Sequence, residues 1–600
     1  MAQRLSEKHE RLSILSGPSS PSLLEWTFND VLEQRCAAHA EHIALVSPQQ
    51  GISYTFAELQ HRARRLAYGL HNLGVGRGDR VGVLLGNRAE YVEIFFACAK
   101  LGAYATLINY AYSHHEFLGA LRTTNPKVLF ATQKTSKFEY RSMLEKAFTV
   151  QSLEKIVLLQ QIGLPMELRD ANLPNGYVSY ETLAQMGNAL NISTEGLERD
   201  VRPEDILNLQ FTSGSTGLPK SAALTHRSMV NSARYIGLQM DIDETDSISI
   251  PVPLFHAFGL IIGVCTAYLY GSAIVLPSEY WDVDATLRSV EEHKCTGLYG
   301  VTTMFVDELS HPRFAATNRS SLKFGIIAGS AMPEELLHRV MTGFPIPRLY
   351  TNWGMTELSS IATMTTSTDS VTKKMRTAGR LLPNLSGKIV EPNTGRVLPW
   401  GEKGEIVISG WAVMRGYYEN EEQTRNTIRK HVEDMRVGQL GVDPVGQHRE
   451  WMHTGDEGFL DEDGYFVITG RIKDLIIRGG ENISPVEIES VLWEHPAVKQ
   501  AVVFGVASDR YGEEVATVLE VSETHQGQKP SLRDLREWVG QLLSRYKVPV
   551  HIWWLGDEEA GLPKEWPKTA NGKLRKMDVK MIGEGILKRA RTTSITRARL

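Results

Sequence analysis

The sequence predicts an α/β protein with a large N-terminal domain of helix-covered, mostly parallel sheets, a small β-barrel-like subdomain, and a small α+β C-terminal domain. Three observations lead to this fold class. The chain has 600 residues, which is too many for one hydrophobic core. Helix and strand patterns alternate through its first half, as in parallel sheets covered by helices. Beyond about residue 380 the pattern changes to short strands flanked by glycine, which indicates a separate antiparallel sheet.

The alternating elements follow one another from residue 56 onward. Apolar residues at helical spacing predict the helices, and short apolar runs predict the strands between them. The expected helices are Phe56–Leu73, Ala89–Leu101, His115–Thr124 and Thr225–Ile236, and the expected strands are Arg80–Leu85, Tyr104–Ile108, Lys127–Ala131 and Ile206–Phe211. The same alternation returns at 281–350.

The second half of the chain carries the two smaller units. Gly387–Val390 and Gly404–Ser409 predict short antiparallel strands; a compact α+β unit is expected to follow, with strands Gln500–Gly505 and Glu514–Glu520 and helix Leu532–Ser544. The resulting domain prediction is an N-terminal extension at 1–24, a large domain at 25–472, a small domain at 473–582 and a basic tail at 583–600 that is disordered at its end.

Composition and charge argue against several classes of function. A net charge of −5 gives no reason to expect a nucleic-acid partner. The four cysteines are far apart, which argues against a zinc site or a disulfide scaffold and favours a reducing compartment. The run Ala257–Leu276 carries no charge, but its glycines and its lack of flanking basic residues favour a buried helix followed by a buried strand. No transmembrane segment is therefore expected.

One stretch, Phe211-Thr-Ser-Gly-Ser-Thr-Gly-Leu-Pro-Lys220, has the composition of a polyphosphate-binding loop. Its glycines let a ligand approach the backbone, its hydroxyl and N–H groups donate hydrogen bonds, and Lys220 supplies a positive charge. It is not a Walker loop, because Leu218 and Pro219 separate Gly217 from the lysine. The stretch predicts a nucleoside triphosphate ligand, and a flexible surface loop is the alternative.

Two further segments carry side chains suited to the same ligand. In Trp353-Gly-Met-Thr-Glu357 an aromatic face can lie on adenine, and a carboxylate beside a threonine can hold Mg²⁺ against phosphate. In Thr454-Gly-Asp456 a carboxylate on a glycine turn can accept hydrogen bonds from both ribose hydroxyls. Each segment alone is equally compatible with an ordinary surface turn.

Two segments near the C-terminal unit complete the set. Gly470–Pro485 contains Arg471, which could reach the ribose. It also contains the pair Gly479-Gly480, which has no side chains to obstruct a narrow, extended ligand. Pro567-Lys-Thr-Ala-Asn-Gly-Lys573 presents its last lysine on a glycine turn. A charged linker and a solvated basic loop are the alternatives for these two segments.

All five segments, in this order, resemble the adenylate-forming superfamily of acyl-CoA synthetases, peptide-synthetase adenylation domains and beetle luciferases, over about residues 25–580. The chain is most similar to the medium-chain acyl-CoA synthetase branch, in Ile326–Ser330, Tyr299–Phe305 and Ile476–Asn482. The resemblance implies an AMP-forming acid–thiol ligase that uses ATP, Mg²⁺ and coenzyme A. It also implies that the C-terminal domain is a mobile cap.

The resemblance implies a role for each matching residue. The ATP phosphates would be held by Thr212, Ser213, Gly214, Ser215, Thr216, Gly217 and Lys220, and the nucleoside and α-phosphate by Gly329, Ser330, Trp353, Gly354, Met355, Thr356, Asp456 and Arg471. Glu357 would hold Mg²⁺, Lys473 would lie at the hinge, and Gly479 and Gly480, beside Glu481, would line the pantetheine tunnel. Lys573 would reach the reacting carboxylate. The expected catalytic residues are thus Thr212, Lys220, Glu357 and Lys573, and the acyl pocket would be lined by Phe255, His256, Thr302 and Ala331.

The chain departs from the family pattern in three places. Trp353 stands where tyrosine is usual, Ser221 stands where many relatives have glycine, and the stretch Arg429–Arg449 looks longer than usual. An enzyme that loads a carrier protein is the nearest alternative function, although no carrier domain follows. A non-enzymatic nucleotide- or acyl-binding regulator is another, and a luciferase-like oxygenase is a third.

The acyl substrate is expected to have a medium-length apolar tail with some polar tolerance, because Phe258, Met304 and Phe305 would also line the pocket. In this mixture the chain resembles enzymes of fungal siderophore and polyketide-toxin pathways as well as plain fatty-acid activators, so a fungal secondary-metabolite pathway is one that the resemblance implies. The last residues, Ala598-Arg599-Leu600, are a variant of the peroxisomal Ser-Lys-Leu address. They predict a peroxisomal import receptor as partner and the peroxisome as location, with the cytoplasm otherwise; a frayed basic tail is the alternative.

Overall fold

The structure is a computed structural model that describes residues 11–163, 173–187, 200–212, 219–328, 334–431, 450–478, 481–508, 510–522, 525, 529–568 and 574–597. These residues form two large sheets with helices around them, one antiparallel sheet and a small C-terminal sheet. The fold class that the sequence predicts is confirmed.

The first large sheet carries the proposed phosphate loop. Its strands, in spatial order, are Gly416–Tyr417, Lys220–Thr225, Ile206–Thr212, Tyr104–Leu107, Arg80–Leu84, Val128–Ala131, Lys155–Leu158 and Tyr177–Ser179. The first two pairings are antiparallel and the others are parallel. The helices along this part of the chain are Phe56–Asn72, Ala89–Leu101, His114–Thr124, Arg141–Ala147, Tyr180–Met186 and His226–Met240.

The predicted elements of this sheet are all present, with small differences at their ends. Helix His226–Met240 continues beyond the predicted end at Ile236. It begins at His226, one residue after the predicted start, because Thr225 is the N-cap: its hydroxyl accepts a hydrogen bond from the backbone N–H of Ser228, a donor that the helix itself cannot satisfy.

The second large sheet has nine strands. In spatial order they are Arg380–Leu381, Thr363–Met364, Arg348–Trp353, Phe324–Ala328, Gly297–Val301, Ser247–Ser249, Ala273–Val275, Ile43–Ser47 and Ile52–Thr55, and the pairings from Arg348–Trp353 to Ile43–Ser47 are parallel. The helices along this part of the chain are Phe28–His39, Thr266–Tyr270, Val283–Glu292, Thr302–Ser310, Glu334–Gly343 and Val371–Arg376.

One helix packs against both large sheets. Every residue of Ala89–Leu101 except Glu90 is buried, and the helix contacts Tyr104–Leu107 of the first sheet and Ile43–Ser47 of the second. The main hydrophobic core includes this helix and residues of both sheets. A single core of this kind holds the two sheets in a fixed relation.

The uncharged run Ala257–Leu276 is buried inside this core. It forms a π-helix at Phe258–Cys265, an α-helix at Thr266–Tyr270 and the strand Ala273–Val275. The prediction of a buried helix followed by a buried strand is confirmed, whereas the π-helical turn was not foreseen. No helix in the described part of the chain combines the length and apolarity needed to cross a membrane.

The antiparallel sheet lies after residue 380, as predicted, but it also takes in the N-terminus. Its strands are Ile14–Ser16, Leu385–Val390, Gly404–Gly410, Glu450–Leu460, Ile428–Lys430 and Phe466–Arg471, accompanied by helix Glu421–Thr427. Ile14–Ser16 pairs with Leu385–Val390. Part of the predicted N-terminal extension is thus an edge strand of this sheet.

The C-terminal sheet consists of Ile476–Arg478, Glu481–Ile483, Val498–Ser508, Gly512–Val521 and His551–Trp554, with helices Pro485–Trp493, Leu532–Leu542 and Lys576–Arg597. Its two faces bury separate apolar clusters that do not merge with the main core. The last helix reaches Arg597, so only residues 598–600 of the tail expected to be disordered lie outside the described residues.

Candidate active site

The proposed phosphate loop is closed by strand pairing at its base. Thr212 ends one strand, Lys220 begins the next, and the two residues are direct partners in the antiparallel register. Residues 213–218 lie outside the described residues. The register places Thr212 and Lys220 side by side at the base of the loop, where both can face a polyphosphate.

A chain of polar contacts connects Lys220 to Glu357. The Lys220 ammonium donates to Oε1 of Gln423 at 2.6 Å and lies 5.3 Å from the centre of the Tyr417 ring. The Tyr417 hydroxyl donates to Oε1 of Glu357 at 2.9 Å. Burial, reinforced by the nearby Glu357 carboxylate, raises the pKa of Tyr417 far above its usual range, so this hydroxyl stays protonated and acts as a donor.

The turn from Trp353 to Glu357 is constrained by close backbone packing. A Cβ on Gly354 would lie 2.2 Å from the carbonyl oxygen of Ser360, so no other residue fits there without movement of the backbone. Ser359 and Ser360 both have positive φ, 49° and 88°, which is uncommon for residues other than glycine. Ser232 donates to the Ser359 carbonyl oxygen at 2.8 Å, which helps to hold this strained turn.

Asp456 joins this turn to the antiparallel sheet. Its Oδ2 accepts a hydrogen bond from the indole Nε1 of Trp353 at 2.8 Å, and its Oδ1 lies 2.5 Å from Nε of Arg471. Asp456 and Arg471 are register partners on adjacent strands, and Arg471 also donates to the carbonyl oxygen of Thr454 at 3.3 Å. Asp456 is almost fully buried, at 4% exposure, so its orientation is set by these partners.

The loop that carries Phe255 and His256 is held by buried amides. The Gln210 side chain donates to the carbonyl oxygen of Phe255, and Oδ1 of Asn87 accepts from the backbone N–H of Leu254 at 2.9 Å. Nδ1 of His256 accepts from the N–H of Phe258 at 3.2 Å, where the π-helix begins. Gln210 and Thr212 are on the same face of one strand, because side chains alternate along it.

Thr302 begins the helix Thr302–Ser310, which also carries Met304 and Phe305. Met304 belongs to the main core, together with Phe255 and Phe258, whereas Phe305 packs in a second cluster with its ring centre 5.5 Å from that of Phe344. This helix therefore sends neighbouring apolar side chains into different clusters, and Phe305 is a core residue as well as a predicted lining residue.

The remaining predicted residues fall into two groups. Lys473 is exposed in a short 3₁₀ turn, Ile472–Asp474, and Glu481 is exposed and paired with Arg478 in a hairpin. The predicted site residues that lie outside the described residues are Ser213, Gly214, Ser215, Thr216, Gly217, Gly329, Ser330, Ala331, Gly479, Gly480 and Lys573.

Sequence reasoning missed three residues that support this site. Tyr417 and Gln423 contact Glu357 and Lys220, and Gln210 holds the Phe255 loop. The run Met414-Arg-Gly-Tyr-Tyr418 could have drawn attention to Tyr417, because an aromatic pair beside a glycine is unusual in a polar stretch. No local signal marks Gln210 or Gln423.

Glu357 has the chemistry expected of a magnesium ligand. It is buried, and its carboxylate accepts a hydrogen bond from Tyr417. Within the described ranges no group of three or more His, Cys, Asp or Glu side chains is arranged to hold a metal ion. Mg²⁺ commonly binds through one or two carboxylates together with substrate phosphates, so a single buried carboxylate such as Glu357 suits this ion.

Comparison with protein families gives two matches along the chain. Residues 32–418 match the family described as AMP-binding enzyme, and residues 487–573 match the AMP-binding enzyme C-terminal domain. The two matches together include Thr212, Lys220, Glu357 and Lys573. The domain boundaries given above remain predictions.

Two relatives that match almost the whole chain are named acyl-CoA ligases. The chain is 38% identical to acyl-CoA ligase sidI of Beauveria bassiana over 583 residues, which is 97% of this chain and 96% of that protein. It is 34% identical to the mitochondrial medium-chain acyl-CoA ligase ACSF2 of Danio rerio over 571 residues, covering 94% of this chain and 89% of the relative.

Solved structures agree with the sequence comparison. The anthranilate CoA ligase AuaEII, in complex with anthranoyl-AMP, superposes with a TM-score of 0.77 at 25% identity and covers 97% of this chain and 100% of its own. The o-succinylbenzoate CoA synthetase MenE of Bacillus subtilis, in complex with its acyl-adenylate, gives a TM-score of 0.72 at 29% identity, with 93% and 99% covered. This chain therefore belongs to the AMP-binding enzymes of the adenylate-forming superfamily and is an AMP-forming acyl-CoA ligase.

Proposed function

We propose that this ligase activates a medium-chain or modified carboxylic acid in two steps at the site described above. In the first step the carboxylate attacks the α-phosphorus of ATP, which gives acyl-AMP and pyrophosphate. In the second step the thiol of CoA attacks the acyl carbonyl, loses its proton and displaces AMP. One observation carries the proposal: the turn Trp353–Glu357 joins the Asp456 and Arg471 pair at one end to Tyr417 and Lys220 at the other.

That arrangement offers groups suited to both ends of a nucleoside triphosphate. At one end, Trp353 offers an aromatic face, and Asp456 with Arg471 offers a carboxylate and a guanidinium for the ribose. At the other end, Lys220 offers a positive charge to the phosphates, next to Glu357. Mg²⁺ bound at Glu357 would neutralise phosphate charge as the two anions meet. The protein's own part is to position the reactants.

The second step is proposed to depend on the C-terminal domain. Lys573 would contact the reacting carboxylate and α-phosphate during adenylation and would leave when the domain turns at Lys473. Gly479 and Gly480 would then border the path of the pantetheine chain. These roles rest on the resemblance in sequence, because apart from Lys473 these residues lie outside the described part of the chain.

The acyl pocket favours an apolar substrate of moderate size. Phe258 stacks on Tyr299 with ring centres 6.1 Å apart, and Phe255 packs edge-on against Tyr110 at 5.0 Å. Thr302 and His256 are proposed to add polar groups to the same pocket. A medium-length chain with one polar group matches such a wall, and ACSF2 is named as a medium-chain ligase.

Pathway and location complete the proposal. A fungal secondary-metabolite route, for a siderophore or a toxin, remains our prediction for the pathway. Delivery to the peroxisome by an import receptor that reads Ala598-Arg599-Leu600 remains our prediction for the location. In cells that express the tagged protein, adding one residue after Leu600 should abolish import, and unchanged import would reject the address.

The decisive experiment is a substrate screen. Pyrophosphate exchange would be measured with carboxylic acids of two to sixteen carbons, with and without a hydroxyl or a double bond, and thioester formation would then be measured with CoA. We expect exchange and thioester formation to peak at medium length. Equal rates at all lengths, or exchange without any thioester product, would contradict the proposed substrate class or the second step respectively.

A further inference from the structure

The strand that carries Asp456 is interrupted at the candidate site. Along Glu450–Leu460, His453 is paired with Val407 and Glu457 is paired with Glu405. Residues 454–456 therefore bulge opposite the single residue Ile406. Bulges of this kind re-aim a side chain at the cost of ladder hydrogen bonds, so other groups must hold the bulge in place.

Side chains on both strands replace the missing ladder bonds. The Thr454 hydroxyl donates to the carbonyl oxygen of Ile406 at 2.7 Å and accepts from the N–H of Asp456 at 3.1 Å. The N–H of Gly455, which has a φ of +69°, donates to Oε1 of Glu405 at 3.0 Å. Glu405 therefore fixes the middle of the bulge from the neighbouring strand.

The second oxygen of Glu405 is held by His453, which is in turn paired with His431. Nδ1 of His453 lies 2.7 Å from Oε2 of Glu405, and Nε2 of His453 lies 2.9 Å from Nε2 of His431. An ionised carboxylate only accepts, so Nδ1 of His453 carries the hydrogen, and one of the two facing Nε2 atoms must donate to the other. The His453 and Glu405 side chains are only 7% and 8% exposed.

The histidine pair is in turn packed against the rest of the sheet. The His431 ring lies over the Trp451 ring, with centres 6.4 Å apart and planes at 28°, and the Lys388 ammonium is 4.2 Å from the centre of the indole. Trp451 and Lys388 are fully buried. The contacts from His431 through His453 and Glu405 to Gly455 thus form one fixed path to the bulge.

We propose that Glu405 and His453 are positioning residues for ATP, because they hold the bulge that presents Asp456. This inference rests on the proposed role of Asp456 in binding the ribose. A residue that orients a ground-state contact affects the KM for ATP more than kcat, because the ribose is bound equally in the substrate complex and in the transition state. The acyl and CoA subsites should not be affected.

The test compares His453→Leu with His453→Asn, whose amide can still donate to Glu405. For His453→Leu we expect a rise of about tenfold in the KM for ATP, with the KM values for the acid and for CoA within about twofold of wild type. His453→Asn should recover most of the loss. His114→Leu, which removes a hydrogen bond of 2.9 Å to Ser142 on the exposed surface, is the matched control and should leave all three KM values unchanged.

Two results would overturn the inference. One is a folded His453→Leu enzyme whose KM for ATP stays within twofold of wild type. The other is a parallel rise in all three KM values with a lower melting temperature, which would indicate a general structural role. If His453→Leu does not fold, Glu405→Asp provides the same measurement, because it keeps the charge but shortens the side chain that must reach both Gly455 and His453.

A double variant separates this inference from the proposed function. If His453 acts through Asp456, His453→Leu should add less than about twofold to the KM for ATP of Asp456→Asn. Multiplicative effects would overturn the inference. An unchanged KM in Asp456→Asn alone would reject the ribose role of Asp456, and this inference with it. A defect in Asp456→Asn without one in His453→Leu would reject this inference alone.

Discussion

The indole Nε1 of Trp353 donates a hydrogen bond of 2.8 Å to Oδ2 of Asp456, which connects the end of a parallel sheet to the antiparallel sheet. From the sequence alone, only the aromatic face of Trp353 is expected to contribute to the site. The structure gives it a second contact, because the indole N–H is a donor placed at the edge of the ring. An aromatic residue and the carboxylate proposed to bind ribose are therefore coupled.

Trp353→Phe should separate these two contributions. The variant keeps an aromatic face but loses the donor to Asp456, so we expect the KM for ATP to rise about three- to tenfold with kcat changed less than twofold. Steady-state release of pyrophosphate measures both constants. Trp400→Phe removes an indole hydrogen bond of 2.9 Å to the Asp461 carbonyl oxygen, outside the site, and serves as control. Equal KM values for both variants would refute the coupling.

Tyr417→Phe tests the contact to Glu357. Loss of the hydroxyl leaves the Glu357 carboxylate less constrained, so we expect adenylation at saturating ATP to slow by about three- to tenfold and to need more Mg²⁺ for half-maximal rate. Magnesium titration of pyrophosphate exchange gives both quantities. Tyr270→Phe, which loses a bond of 2.7 Å to the Arg234 carbonyl oxygen, is the comparison. An unaltered magnesium titration in Tyr417→Phe would count against Glu357 as the metal ligand.

Lys573→Ala tests the proposed division of labour between the two steps. Removing a positioned positive charge should reduce adenylation by at least about 100-fold, whereas the enzyme should still convert supplied acyl-AMP and CoA to acyl-CoA within about threefold of the wild-type rate. Quenched assays of the separate half-reactions measure this. The exposed Lys564, changed to Ala, is the control. Equal losses in both half-reactions would reject a role confined to adenylation.

Glu93→Gln tests a buried carboxyl group away from the site. Burial raises the pKa of Glu93 from 4.5 to about 7, although the hydrogen bond that it accepts from Tyr180 opposes the shift. The native state therefore binds more protons than the unfolded state between these values. The contribution of Glu93 to the free energy of unfolding, up to about 3 kcal/mol, is therefore fully present below about pH 4.5. It is lost as the pH rises through about 7.

The variant stays neutral, so its stability relative to wild type should increase as the pH is raised from 5 to 8. Urea-unfolding midpoints measured across that range give the comparison. Glu422→Gln, at an exposed position on a surface helix, should run parallel to wild type. If the profile of Glu93→Gln also ran parallel to wild type, Glu93 would have to be ionised throughout the range.

The regular elements could be predicted because their signals are local. Helix Ala89–Leu101 has the predicted bounds, and strands such as Tyr104–Leu107 differ by one residue, because apolar spacing and flanking glycines define them within a few residues of sequence. The π-helical turn at Phe258–Cys265 could not be predicted in this way, since its residues are apolar on all sides and carry no periodic signal.

The contacts that complete the site could not be read from local patterns. Tyr417 and Glu357 are 60 residues apart, and they meet because Gly416–Tyr417 pairs with Ala222 and Ala223 at the edge of the first sheet. That pairing depends on tertiary packing. The roles assigned to residues such as Ser213, Gly479 and Lys573 came from a resemblance in sequence, and they stay predictions.

Pairing of the N-terminus with the antiparallel sheet has a practical consequence. Ile14–Ser16 covers one side of Leu385–Val390, a strand in which every residue is buried. An N-terminal deletion through Ser16 would leave the backbone donors and acceptors of that strand without their partner, and a bare apolar edge is a template for pairing with another chain. Truncated preparations should therefore self-associate. Tags and truncation points should be chosen so that Ile14–Ser16 stays paired with Leu385–Val390.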